Sequence, residues 1–215
     1  MNEYHKIETL WKFNSETHKF HHGEFYNKNV EILQNNLWTF TEKIDGTNFR
    51  IIWDGHKLTY GGRTNRATFS KKQIQFIEER LVNEYMETTF EQIFKEKEVY
   101  VFGELYGNGI QKGGELYTNG NGLSFKVFDI MIDGIFLTFD NAKELARGLG
   151  YEFVPFVMIG NIQQGIDYVS QNEKSTFSNA KLEGLVGKPV GDFRDRLGNR
   201  IVVKIKRRDL ENIEW

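Results

Sequence analysis

The sequence contains no cysteine in 215 residues, so it offers no disulfide framework, no thiolate nucleophile and no cysteine-ligated zinc. Only 2 prolines occur, too few for a proline-rich linker. No apolar run approaches the roughly 20 residues of a membrane-spanning helix. The polar start MNEYHKIETLWKF has no signal-peptide pattern, so the cytoplasm, of a host cell if the source is viral, is the expected compartment. A strong charge of either sign is missing too. Lys and Arg total 28 against 30 for Asp and Glu, a net charge of -2, which excludes a chain cationic throughout and confines any polyanion site to a local patch.

What is present is an ordinary globular balance, 39% hydrophobic and 27% charged, enough apolar material for a core. Two figures stand out: 21 glycines and 18 phenylalanines. Glycine serves turns and close backbone approach, and aromatics favour strands and stack on flat rings, so the pair implies a β-rich fold with many turns or a glycine-lined nucleotide site. Strand patterns run over 37–42, 48–53, 57–61, 98–104, 123–130, 135–138, 153–159, 182–188 and 200–206, with Asp54-Gly55 and Asp133-Gly134 as hairpin turns. Helical spacing of Ile74, Ile77, Leu81, Tyr85 and Met86 predicts a helix over 71–95; others are expected over 140–148, opening on Asp140, and 165–171. Strands and helices intersperse without regular βαβ alternation, and no linker or repeat divides them. The expectation is a single α+β domain, 1–215, of antiparallel sheets flanked by helices.

The usual templates fail. Gly184-Leu-Val-Gly187-Lys188 ends in Pro189 and is no Walker A loop, Gly107-Asn-Gly109 lacks a third glycine, and the five histidines form no zincin motif. What remains is Glu42-Lys43-Ile44-Asp45-Gly46-Thr47-Asn48 between two strands. Alone, its lysine is better read as a solvated turn residue. Four later segments change the weighing: Phe102-Gly103-Glu104-Leu105-Tyr106-Gly107, Phe125-Lys126-Val127-Phe128-Asp129-Ile130, Glu183-Gly184-Leu185-Val186-Gly187-Lys188 and Val203-Lys204-Ile205-Lys206. Each places charge on a strand otherwise apolar or glycine-rich, which is costly unless the charges face one another or a ligand.

These segments, with Gly61-Gly62-Arg63-Thr64 after the first, resemble the ordered motifs of covalent nucleotidyltransferases: ATP-dependent DNA ligases, RNA ligases and capping guanylyltransferases. Lys43 to Phe49 and Phe102 to Gln111 look most like the double-strand-type RNA ligases, which include the phage nick-sealing and trypanosome editing enzymes. The resemblance spans about 37–206. It implies an ATP-grasp-like nucleotidyltransferase core, and the few residues after Lys206 imply that no oligonucleotide-binding barrel is appended.

The implied reaction attaches AMP from ATP to a lysine amine, passes it to an RNA 5′-phosphate, and lets a 3′-hydroxyl displace it, at nicks in an RNA duplex or RNA/DNA hybrid. Lys43 is then the nucleophile. Its amine must be neutral to attack, whereas an ordinary lysine holds its proton up to a pKa of about 10.4; the cations Lys204 and Lys206 and a divalent ion, Mg2+ or Mn2+, would favour the neutral form. Lys204 and Lys206, alternating on one strand, would grip the α-phosphate, with Lys188 a further phosphate contact. The resemblance assigns Glu183 to the metal, Glu104 to the ribose hydroxyls, Arg63 to the ribose or terminal hydroxyl, and Phe128 to the adenine face. Asp129 would orient an arginine or metal-bound water, backbone groups at Glu42 and Ile44 would read the adenine edge, and Asn48 would bind the β- and γ-phosphates or a metal-bound water. Ordinary strand packing is the competing reading for the phenylalanines, and a Glu104–Arg63 pair for that glutamate. Asp45 departs from the histidine usual in the nearest RNA ligases and matches DNA ligases. A minimal DNA ligase and a nucleic-acid-binding derivative without catalysis are therefore the alternatives.

Overall fold

The computed structural model describes residues 3–191 and 193–214. In chain order the elements are β1 (Glu8–Thr9), β2 (Trp11–Asn14), β3 (Lys19–Phe25), α1 (Lys28–Ile32), β4 (Trp38–Lys43), β5 (Thr47–Trp53), β6 (Leu58–Gly62), α2 (Lys71–Arg80), α3 (Glu84–Phe94) and β7 (Val99–Gly107). A 3-10 turn at Gly114–Tyr117 leads to β8 (Leu123–Ile132), β9 (Ile135–Phe136), α4 (Phe139–Gly148), β10 (Glu152–Phe153), β11 (Phe156–Gly160) and α5 (Ile162–Gln171). The chain then runs through β12 (Gly184–Pro189), β13 (Val203–Lys206), α6 (Arg207–Glu211) and β14 (Ile213–Glu214). It divides into two compact units, one of the residues up to His5 with Asp45–Phe153, the other of Lys6–Ile44 with the residues from Val154 onward. Among the described residues no helix is long and apolar enough to cross a membrane.

The first unit is a six-stranded sheet in the order β10-β8-β7-β5-β6, with β9 on β8. Alternation along the strands decides its two faces. Phe49, Ile51 and Trp53 of β5, Val99 and Val101 of β7, and Phe125 and Val127 of β8 join Ile77, Phe90 and Ala146 of the helices in one core. The long helix expected over 71–95 is two. The apolar phase slips by one residue between Leu81 and Met86, Asn83 accepts the Met86 amide as N-cap, and the buried Tyr151 hydroxyl donates to the Leu81 carbonyl. Tyr85 accordingly lies off the core stripe, 78% exposed, while Met86 is buried.

The second unit holds a five-stranded sheet, β1-β13-β12-β4-β11, and a three-stranded sheet, β14-β3-β2. Trp38, Phe40, Leu185, Val203 and Ile205 form the core with Ile162 and Val169 of α5. Antiparallel pairing dominates as expected, but β1 on β13, β10 on β8 and β14 on β3 are parallel. Helix α5 begins three residues earlier than its apolar pattern, because Asn161 and Gln164 form a reciprocal capping box.

Candidate functional site

In the second unit the strand register gathers the lysines. Gly184 stands opposite Lys43 on β4 and Lys206 on β13, and Val186 stands opposite Thr41 and Lys204. Since Phe40, Leu185 and Ile205 take the core face, the period of two leaves Lys43, Lys188, Lys204 and Lys206 on the other. Glu183, just before β12, accepts the Lys43 ammonium at 2.8 Å, with both side chains only about a quarter exposed. Burial, then repulsion from Lys206 and Lys43, holds the Lys204 ammonium below the ordinary lysine range, partly offset by Asp209 and Glu8. Lys206 is buried and sits 3.3 Å from Asp209.

At one expected adenine-edge position, Glu42, a backbone group is already engaged. Glu42 belongs to the core face; its Oε2 accepts from the Thr176 amide (2.7 Å) and hydroxyl (2.6 Å), while Oε1 is buried with no partner among the described residues. Its backbone amide donates to the Pro155 carbonyl at 2.9 Å and is therefore not left over for a base edge. Ile44 is buried. Thr176 has no signal in the sequence, because it is joined to Glu42 only by the fold.

In the first unit Asn48, Glu104 and Lys126 stand side by side across β5, β7 and β8, on the face opposite the helical core. Lys126 is ion-paired with Glu152, which pairs with it in register on β10. The Asn48 carbonyl oxygen is buried without a partner among the described residues, the kind of orphan that a ligand group satisfies. Arg63 follows β6 in an exposed turn. Gly46 is obligatory where the lysine turn enters this unit: a Cβ there would lie 2.5 Å from the Leu105 carbonyl oxygen and 2.8 Å from Glu104 Cγ. The Tyr117 hydroxyl accepts the Asp45 amide, and Gln111 donates to the Gly46 carbonyl. Gln111 falls inside the Phe102 to Gln111 motif; Tyr117 carries no comparable signal.

The two phenylalanines part as the alternation requires. Phe125 is buried, its ring 5.4 Å from that of Phe49, whereas Phe128 falls where the β7–β8 register shifts and stays half-buried, 5.0 Å from the Tyr4 ring. Asp129 is 1% exposed and accepts the Tyr4 hydroxyl at 2.7 Å. That is the position of a buried structural acceptor, which the sequence alone did not distinguish from a metal-side carboxylate. Among the described residues no three His, Cys, Asp or Glu side chains cluster as a protein-only metal site.

The RNA ligase sequence family matches residues 36–206, four-fifths of the chain. The chain belongs to the RNA ligase family. No curated protein sequence matches it. Among solved structures it is similar to Naegleria gruberi RNA ligase: a lysine variant with ATP and Mn (21% identity, TM-score 0.63, covering 96% of this chain and 61% of that one). A second lysine variant with AMP and Mn gives 21% identity and TM-score 0.62 over the same shares. The same ligase with PPi gives 21% and 0.61 over 96% and 60%. The fold is thus that of an RNA ligase nucleotidyltransferase, α+β with antiparallel sheets flanked by helices, and the chain spans about 60% of the length of these structures.

Proposed function

We propose that the chain is an ATP-dependent RNA ligase that joins 5′-phosphate and 3′-hydroxyl ends, at nicks in duplex RNA or RNA/DNA hybrid, through AMP carried on Lys43, and that its two units act as one adenylyltransferase. The observation that carries this reading is the Lys43–Glu183 pair at 2.8 Å on a sheet face that also bears Lys204 and Lys206. A lysine with no catalytic task has no need of two further lysines on the same sheet face, where their mutual repulsion is a cost.

The Lys43 nitrogen lone pair attacks the α-phosphorus, the bond to the pyrophosphate oxygen breaks, and the ammonium proton is released before or during attack. Lys204 and Lys206 meet the charge that builds on the α-phosphate oxygens, and Lys188 a neighbouring phosphate. Glu183 opposes the reaction as long as its charge rests on Lys43, since an ion pair favours the ammonium. Glu183 would hold a divalent ion, such as the Mn present with the Naegleria ligase, since one or two carboxylates suffice, and such an ion would supply positive charge that favours the neutral Lys43 amine. Asn48, with its orphaned carbonyl oxygen, takes a hydrated or protonated phosphate group. Glu104 accepts from the ribose hydroxyls, Phe128 stacks on adenine, and Arg63 serves the nucleic-acid end. The Glu42 side chain, not its amide, reads an adenine edge through the free Oε1, and the buried Ile44 contributes apolar wall. Asp129 acts at one remove, by fixing Tyr4 against Phe128.

The test is incubation with radiolabelled ATP and magnesium. With the radiolabel on the α-phosphate, an alkali-stable, acid-labile protein label that Lys43→Ala abolishes is expected; no label, or a label that survives Lys43→Ala, refutes the reading. Nicked duplexes with RNA or DNA on the 3′-hydroxyl side then decide the substrate, and better sealing of all-DNA nicks makes it a DNA ligase.

A further inference from the structure

A cavity of about 610 Å3 in the second unit lies beside the Lys204–Lys206 strand, within the roughly 300–1,000 Å3 usual for ligand sites. Its walls include Lys6, Phe13, Tyr26, Lys204, Lys206 and Arg208, with Glu8 and Asp209 as the carboxylates. Four fixed cations thus meet two anions here, although the whole chain carries a net -2. The excess is local, as the composition requires of any polyanion site.

The aromatic part comes from β2 and the residue after β3, outside the span 36–206 matched by the family. Phe13 is 50% and Tyr26 51% exposed. Both rings are therefore open to a ligand in the cavity. The hairpin that carries Phe13 is also tied down. Glu214 of β14 accepts from Asn14 Nδ2 and the Thr17 hydroxyl, each at 2.8 Å, and lies 3.2 Å from His21 Nδ1. Asn212 donates to the His18 carbonyl at 2.7 Å and accepts the Phe20 amide at 2.9 Å. A hairpin near one chain end is thereby fixed by residues some two hundred positions away, which lowers the entropy cost of stacking a ligand on it.

We propose that this cavity holds a short single-stranded stretch of the RNA substrate that extends beyond the nicked duplex, its phosphates on Lys6 and Arg208 and its bases on Phe13 and Tyr26. A released pyrophosphate would use the cations but leave both rings uncovered. Bases with a phosphate backbone use both, and stacking on aromatic rings beside cations is how single strands are held without regard to sequence. An arriving phosphate would also relieve the repulsion now acting on Lys204. The choice of RNA as the polyanion rests on the ligase reading above.

The experiment is fluorescence anisotropy of a labelled oligouridylate over a salt series, paired with ATP labelling of each variant. Phe13→Leu, which keeps apolar contact with Phe20 but removes the π-face, and Tyr26→Ala should each weaken binding about tenfold. Lys6→Ala and Arg208→Ala should each lower the slope of log affinity against log salt by about 0.7. All four should label with ATP within about twofold of the unaltered protein. Unchanged oligouridylate affinity in Phe13→Leu and Tyr26→Ala overturns the proposal, as does joint loss of binding, labelling and thermal stability, which would make the hairpin structural only. Pyrophosphate that displaces the oligonucleotide equally well from the unaltered protein and from Tyr26→Ala also overturns it. Should the unaltered protein fail to label while the ring variants still lose RNA, the RNA site stands and the ligase reading falls.

Discussion

Gly184→Ala should abolish most self-adenylylation although it alters no charged group. Gly184 has φ +155° and lies between Lys43 and Lys206 in the sheet; a Cβ there would sit 2.0 Å from the Ile205 carbonyl oxygen and 2.8 Å from Lys206 Cα. Those are backbone atoms and cannot swing aside as a side-chain tip can. Real Cβ contacts do not fall under 3.0 Å, so β12 and β13 must separate by about 1 Å or more. The unfavourable φ adds on the order of 1–3 kcal/mol. Both effects fall on the strand that carries Lys204 and Lys206 and on the residue next to Glu183. Displacing reacting groups by about 1 Å can cost about a hundredfold in rate. The measurement is the single-turnover rate of alkali-stable protein labelling by ATP radiolabelled on the α-phosphate, with a thermal melt to show that the protein remains folded. Gly148→Ala is the control: nothing lies within 4 Å of its added Cβ, and it sits at the end of α4, where alanine is neutral to about 1 kcal/mol stabilising. Labelling of Gly184→Ala within threefold of the unaltered protein would refute the argument that this glycine sets the spacing of the lysines.

Glu183→Gln should cut labelling by roughly a hundredfold or more, because the carboxylate proposed to hold the divalent ion is gone; undiminished labelling at limiting magnesium would remove it from the metal role. Lys204→Met should raise the melting temperature at pH 7. The folded-state value of Lys204 lies below its ordinary 10.5, so the penalty on its charge is full at neutral pH and fades as pH rises toward 10.5. The stabilisation by Lys204→Met should therefore shrink with rising pH, and a pH-independent gain would contradict the assigned cause. Tyr4→Phe strips the buried Asp129 carboxylate of its hydroxyl donor, at about 1–3 kcal/mol, read as a lower melting temperature with the Lys43→Ala-sensitive label retained; an unchanged melt would show that this bond does not hold the amino-terminal residues.

The gathering of Lys43, Lys188, Lys204 and Lys206 on one sheet face was legible because the alternation runs along the chain. Lys-x-Lys on a strand whose intervening residue is Ile205 allows one arrangement only, lysines out and isoleucine in, and the register with Gly184 follows from the same alternation. Phe125 and Phe128 were separable as a pair for that reason, although the shift at Phe128 breaks a strict period of two. Asp129 was not legible. Its neighbours in sequence place it beside the adenine candidate, while its partner, Tyr4, is 125 residues away. The helix break at Leu81 to Asn83 was legible in principle: Asn83 is a strong N-cap residue and the apolar spacing slips there, but a continuous helix absorbs one such slip on paper.

The amino-terminal hairpin shows the same limit from the other side. Lys19 to Phe25 reads Lys-Phe-His-His-Gly-Glu-Phe, a strand with little apolar alternation, because its face is covered only in part and its ladder partner β14 is two residues long near the far end of the chain. The hairpin partner β2 is local, but the second edge of β3 is paired by residues near position 213, which no local signature announces. Its polarity is nevertheless informative once the pairing is known. A sheet built from both ends of the chain, tied by Glu214, and still leaving Phe13 half exposed is poorly explained as core, since a core would have covered the ring. The residues least readable from sequence are therefore those where the fold most directs attention to a partner, and the oligouridylate titration of Phe13→Leu decides whether that partner is RNA.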